Sequence, residues 1–187
     1  MNAVSSELDR RFRDAAAKEG LLDAAYDFVD SPIGPLFVAT SKQGVCRISY
    51  DAEPDRELER LSREYGLRVL RSAKPIEDAR RELDQYFEGE RRTFDLPLDV
   101  RFVADFNRRV LRELARVPYG EVVTYGELAA RAARPKAARA VGMVMNRNPI
   151  PIVLPCHRVV GANGKLTGYA GGLDRKEALL RLEGAIL

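Results

Sequence analysis

The sequence predicts an α+β chain, with a small antiparallel sheet in its first half and a mostly helical second half containing a helix-turn-helix. Between residues 26 and 50, three short apolar stretches alternate with Gly- and Pro-bearing turns, as hairpin-linked strands do. Beyond residue 101, apolar positions recur three and four apart, the period of a helix with one buried face. Charge divides with this texture. Residues 1–100 carry 16 Lys/Arg against 21 Asp/Glu, whereas residues 101–187 carry 15 against 7. A basic half suits a polyanionic partner such as a phosphate backbone, while an acidic half stays in solvent. The expected division is an N-terminal extension over 1–24, an α/β domain over 25–100 and a second domain over 101–187.

Composition narrows the function classes. With 187 residues, 45% apolar and 32% charged, the chain reads as an ordinary soluble globular protein. No apolar run approaches the roughly 20 residues of a membrane helix. Residues 1–20 carry both signs of charge and lack an apolar stretch, so they do not read as a signal peptide. Two cysteines, Cys46 and Cys156, read as reduced thiols in a cytoplasmic protein. Two Cys and one His at 46, 156 and 157 lack the spacing of a zinc site, so no metal is expected.

Each element of the first half has a local reason. A short amphipathic helix fits 6–17, with Leu8, Phe12 and Ala15 or Ala16 at helical spacing, and a frayed lead-in fits the segment equally. Strands over 26–30, 36–40 and 44–50 are separated by turns at 31–35 and 41–44. Leu58, Leu61 and Tyr65 mark a helix over 55–65, stopped by Gly66, with a further strand over 67–70. Pro75 opens a helix with Ile76, Ala79, Leu83 and Phe87 on its apolar side, ended by Gly89. Residues 93–100, with Pro97, read as a connector.

In the second half, Phe102, Phe106, Val110 and Leu114 predict a helix over 102–117 with a buried stripe, broken by Pro118-Tyr119-Gly120. Thr124 and Glu127 have capping-box spacing ahead of a short helix through Arg131. A second helix is expected from Pro135 to about Met145, completing the helix-turn-helix. Ala137, Ala138, Ala140 and Gly142 leave it nearly bare, with Arg139 among them. Such a helix either packs tightly inside the protein or enters a narrow groove, and its place in the basic half favours the groove.

Residues 149–160 are the most informative stretch, although a cysteine beside a histidine, taken alone, is also what a merely structural buried cysteine would show. An apolar run flanked by prolines is a poor helix and a poor central strand, so an extended segment is expected. Cys156 in it adjoins the only histidine, His157. A thiolate is a strong soft nucleophile, and imidazole is the side chain suited to deprotonating it near neutral pH. On an extended strand these neighbours would point to opposite faces, so a bridging water or a bend would be needed. Glu183, in the expected C-terminal helix, is a candidate to orient the imidazole. Cys46, in a strand with no His beside it, reads as a small core residue.

Taken together these residues resemble the O6-alkylguanine-DNA alkyltransferases, or methylated-DNA–protein-cysteine methyltransferases. The signature Ile-Pro-Cys-His-Arg-Val stands here as Leu154-Pro155-Cys156-His157-Arg158-Val159, with Leu in place of Ile. Pro135 to Gly142 resembles the family's recognition helix and Asn146-Arg147-Asn148-Pro149 its asparagine hinge. Gly168 to Leu173 and Lys176 to Leu180 resemble its pocket loop and final helix. The likeness is strong over 102–187 and topological over 25–100, where it implies a ribonuclease-H-like domain.

The resemblance implies repair by direct reversal, in which an alkyl group leaves O6-alkylguanine in double-stranded DNA for Cys156 in a single turnover. O4-alkylthymine is left open as a second substrate. It implies His157 as a base acting through water, Glu183 as its orienting acid and Asn148 as a brace of the active-site turn. Tyr125 would stand by the flipped guanine and help protonate it at N3. Arg139 would fill the gap in the base stack, and Tyr169 would wall the pocket. The carbonyls of Cys156 and Val159 would accept from the exocyclic amine, and the N–H of Ala170, where some members have Ser, would reach O6. Lys136, Arg131 and Arg147 would contact phosphates, with Ala137, Ala138 and Ala140 against the minor groove. No cofactor is implied, and Gly171-Gly172 reads as a pocket-loop turn rather than a phosphate cradle. A monomer is expected, with cooperativity along DNA left open.

Three rivals compete. A non-catalytic binder of alkylated DNA would replace the cysteine, which is intact here. A Cys-His hydrolase would want an oxyanion loop, and nothing suggests one. A sequence-specific helix-turn-helix regulator would want more base-reading side chains than an alanine-rich helix offers.

Overall fold

The computed structural model describes residues 6–186. The first five residues of the expected extension lie outside the described residues. The chain forms two compact units, divided between Asp84 and Gln85, with residues 95–99 belonging to the first and 85–94 to the second.

The first unit is built on a four-stranded sheet in the order β3-β2-β1-β4. Strands β1 (Ala24–Val29), β2 (Leu36–Ser41) and β3 (Gly44–Tyr50) form the expected antiparallel meander. Strand β4 (Val69–Arg71) joins parallel to β1, Ala24 facing Val69. Parallel pairing needs a crossover. Helix α2 (Pro54–Tyr65) lies within it, between β3 and β4, and Leu61 packs with Phe37, Ala39 and Cys46. Helix α1 (Ser6–Lys18) contributes Ala16 to a second cluster with Leu22 and Ala25. The connector is not idle: Val45 donates to Pro97 and accepts from Asp99, a short parallel bridge alongside β3. That approach demands glycine at 44, where a Cβ would sit 2.1 Å from the Pro97 oxygen.

Helix α3 (Glu77–Phe87) buries Ala79, Leu83 and Tyr86 after Ile76. The apolar spacing predicted Phe87 on that face. The observed spacing of three, four and three residues turns Tyr86 inward instead and leaves Phe87 half-buried.

The second unit is mostly helical. Helix α4 (Asp105–Leu114) is shorter than the predicted 102–117. Val103 closes a turn onto Val100 and Ala104 is extended, so Phe102 stays outside the helix, 55% exposed, rather than in the buried stripe. At the other end, Arg116 and Val117 bond three residues back instead of four. Strand β5 (Val123–Thr124) leads into helix α5 (Tyr125–Arg131) through the predicted capping box, Thr124 and Glu127 each bonding the other's backbone N–H. Helix α6 is Ala138–Asn146 and does not begin at Pro135. Ala133 adopts φ +58° and ends α5, and a turn from Arg134 to Ala137 delays the next helix by three residues. Helix α6 buries Val141, Val144 and Met145, and its flanking alanines are only half-buried. Strand β6 (Val159–Val160) pairs parallel with β5, and helix α7 (Leu173–Leu182) closes the unit.

Candidate active site

The segment before Cys156 is not extended. After α6 the chain folds through tight turns, with Ile152 at φ +74° and Leu154 donating back to Ile150. Asn148 closes this loop from inside. Its amide nitrogen donates to the Leu154 carbonyl at 2.8 Å, and its oxygen accepts from Ile150 N–H at 3.1 Å. Prolines at 149, 151 and 155 withhold N–H donors that a strand would need, so a side chain must supply the order.

Cys156, His157 and Arg158 form one 3₁₀ turn, so strand alternation does not separate Cys156 from His157. All three are buried. Burial pushes the Cys156 thiol above its usual range. The Asn148 and Tyr169 side chains, its own N–H and the charge of Lys176 pull the other way without overcoming this. The resting sulfur is therefore a protonated thiol at neutral pH.

His157 Nε2 lies 2.8 Å from Glu183 Oε1. Burial lowers its basicity and outweighs the contacts with Glu183 that raise it, so the ring is neutral near pH 7. An ionised carboxylate accepts only, so Nε2 carries the ring proton and Nδ1 keeps its lone pair. Nδ1 is buried with no hydrogen-bond partner from the protein. That atom is an unused base one residue from the thiol.

Glu183 caps the C-terminal end of α7 rather than sitting within it. Besides His157, its carboxylate receives Arg158 Nε at 2.9 Å and a second Arg158 nitrogen at 2.8 Å. The Tyr86 hydroxyl donates at 2.6 Å, and Gly120 N–H lies at 3.4 Å. Burial would raise the Glu183 pKa, but the bonds from His157 and Arg158 prevail and hold it at about 2. Arg158 spends its remaining nitrogen on the Val117 carbonyl at 2.6 Å. Tyr119 faces the guanidinium and ties its hydroxyl to Leu182 O at 2.9 Å.

Lys176 is buried in α7, and its ammonium donates to the carbonyls of Val159 (2.6 Å) and Thr167 (2.9 Å). Burial brings its pKa down to about 8, although the nearby Cys156 favours its charge. The Val159 carbonyl thus already serves one donor, with a second lone pair left over.

Among the residues singled out in the sequence, Cys156, His157, Glu183, Asn148, Tyr169 and Val159 meet in this cluster. Tyr125 opens α5, half-buried, and accepts from Thr167 at 3.4 Å on the same loop that Lys176 holds. Ala170 is exposed just before α7. Arg131, Lys136, Arg139 and Arg147 are exposed on α5, α6 and their link, beside half-buried Ala137, Ala138 and Ala140. Sequence reasoning gave no role to Arg158, Lys176, Tyr86 or Tyr119. Both cations are internal and kept there by partners, as buried charges must be, but Lys176 stands between Arg175 and Glu177 and reads in the sequence as surface.

Two family models match the chain. The ribonuclease-like domain of 6-O-methylguanine DNA methyltransferase matches residues 24–100, and the DNA-binding domain of the same protein matches 105–185. A methylated-DNA–protein-cysteine methyltransferase of Methanosarcina barkeri is 43% identical over 158 residues, 84% of this chain and 96% of its own. One from Mycobacterium tuberculosis is 44% identical over 158 residues, 84% of this chain and 91% of its own. The crystal structure of Mycobacterium tuberculosis OGT in complex with DNA aligns with a TM-score of 0.75 at 42% identity, covering 86% of this chain and 93% of that one.

Proposed function

The chain belongs to the 6-O-methylguanine DNA methyltransferase family, and from that premise we propose that Cys156 is the atom store of its repair reaction, taking the alkyl group from guanine O6. Repair by direct reversal through alkyl transfer, on DNA, is the activity of this family member. The observation that carries the assignment to Cys156 is the adjacent imidazole. Its Nε2 is committed to Glu183, its Nδ1 is buried without a protein partner, and the buried thiol is the preceding residue of the same turn.

In the proposed step the thiol proton passes through a water to His157 Nδ1, and the sulfur attacks the alkyl carbon in line with O6. The S–C bond forms as the C–O6 bond breaks. The departing guanine takes a proton at N3 from Tyr125, whose phenolate is re-protonated from the imidazolium by way of solvent. Glu183, anionic throughout, stabilises the imidazolium in between. The product is a thioether with no hydrolytic exit, so each molecule acts once. Asn148 keeps the turn closed around the sulfur, Tyr169 walls the pocket, and the Val159 carbonyl and Ala170 N–H address the base.

The substrate base is reached by extrusion from double-stranded DNA, which costs a few kcal/mol. Arg139 fills the vacancy, while Arg131, Lys136 and Arg147 meet phosphates and the small face of α6 enters the minor groove. The α5–α6 pair is then a helix-turn-helix used without sequence reading, by a monomer. No helix among the described residues is long and apolar enough to cross a membrane, and the free thiols fit the cytoplasm as its place of work.

Intact-mass analysis and peptide mapping after incubation with a duplex containing O6-methylguanine test this. One added methyl group on Cys156 is expected, retained in Cys46→Ser and lost in Cys156→Ser. A persisting lesion with an unmodified thiol, or a methyl group on another residue, overturns it.

A further inference from the structure

We infer that Tyr86 is a positioning residue for the transfer, its hydroxyl fixing the Glu183 oxygen that holds His157 and restraining how strongly that oxygen supports the imidazolium. The inference rests on the proposed role of His157 as the base.

Glu183 Oε1 accepts from three donors at once: Tyr86 at 2.6 Å, His157 at 2.8 Å and Arg158 at 2.8 Å. A carboxylate oxygen has two lone-pair directions, so these donors compete for its charge. The tyrosine bond is the shortest of the three, within the range of a strong O–H···O⁻ contact. Tyr86 is fully buried, its ring against Phe87, Phe94 and Tyr119 at centroid distances of 5.3, 5.4 and 6.1 Å. Burial first, and the Glu183 charge after it, push its ionisation far above its ordinary value, so it stays a donor.

His157 is faced by Glu183, Arg158 and Lys176, and Cys156 precedes it in the same turn. Tyr86 is faced by Glu183, Arg158 and Tyr119. Of these neighbours, Glu183 is the only anion at neutral pH. How much of its charge reaches the imidazole therefore depends on the other donors it serves, and Tyr86 is the neutral one among the side chains. An imidazole supported too well would hold its proton in the resting state and be unable to take the thiol's.

Histidine NMR titration of Tyr86→Phe tests this directly. The chain has one histidine, so its ring signals need no assignment. Removing the hydroxyl is expected to raise the His157 midpoint by roughly half a pH unit or more. The acid limb of the alkyl-transfer rate should move up with it. Phe94→Leu disturbs the same ring packing without touching the hydroxyl and should leave the midpoint in place. Replacing tyrosine with 3-fluorotyrosine in the otherwise native chain strengthens the donor and should move the midpoint down. An unmoved midpoint in Tyr86→Phe, an equal movement in Phe94→Leu, or no fluorotyrosine effect overturns the inference. The titration needs no substrate, so its failure is distinct from a failure of Cys156 to accept the alkyl group.

Discussion

Glu183→Gln keeps the shape of the buried carboxylate and removes its charge. In the wild type this carboxylate neutralises Arg158, a cation only 5% exposed. The amide leaves that charge buried without a counter-ion, a change that costs about 3–5 kcal/mol. The depressed carboxyl gives a second route to the magnitude. Burial alone would raise the Glu183 pKa, but the donors from His157 and Arg158 bring it from 4.5 to about 2. A carboxyl depressed in the folded state stabilises fully above its unfolded value and loses that stabilisation as pH falls towards its folded one. The interval corresponds to about 3 kcal/mol, consistent with the first estimate. The stability gap between wild type and Glu183→Gln should thus be about 3 kcal/mol at pH 7 and shrink to about 2 kcal/mol at pH 3.5. Urea unfolding of both proteins across that pH range, followed by circular dichroism, measures it. A gap below about 1 kcal/mol at pH 7, or one that does not narrow with acid, would refute the assignment of Glu183 as the buried counter-charge.

Asn148→Ala removes both bonds that close the loop before Cys156, and should cost about 1–3 kcal/mol in urea unfolding with a slower transfer rate. An unchanged rate would show that the turn is ordered by other groups. Arg139→Ala should slow transfer from duplex DNA by about tenfold, since base extrusion loses its compensating side chain, while transfer from a free O6-alkylguanine base stays as it was. Equal slowing on both substrates would move Arg139 out of the extrusion step. Lys136→Ala and Arg147→Ala should each lower the slope of log K against log salt for DNA binding by about 0.9. A slope that does not change in fluorescence anisotropy would remove that residue from the phosphate contacts.

The parts of this fold that were legible in the sequence are those set by local rules. The meander showed because short apolar runs are separated by turns built from Gly, Pro and Ser. The start of α5 showed because a capping box is a contact between residues three apart. Errors arose where two local rules competed. Phe102 continues the four-residue spacing of Phe106, Val110 and Leu114, yet the turn from Val100 to Val103 removes it from the helix. Pro135 is a good first helical residue, yet the left-handed Ala133 makes it part of a turn. In the site, Cys156, His157 and Glu183 came forward through their chemistry, and Asn148, Tyr169 and Val159 through the family resemblance. Tyr86 did not, because it precedes Glu183 by 97 positions and nothing local couples them. Lys176 and Arg158 were hidden differently: a long cation in a sequence reads as surface, and only the carbonyls and carboxylate that surround these two reveal them as internal.

A nucleophile used once has no second turnover to recover from a wasted one, and the resting state proposed here suits that constraint. Were Cys156 a standing thiolate, any small electrophile reaching it would inactivate the molecule. Burial instead keeps it protonated, and the groups that favour its ionisation do not overcome that effect. The neutral imidazole at its side has the proton capacity to change this, but only through an atom that has no protein partner. In the proposed step, activation therefore requires a bridging water and a reacting carbon in place together. On this view the low basicity of His157 is not a defect of the triad. It leaves the ring free to accept the thiol proton when substrate arrives, and burial of the ring keeps it that way.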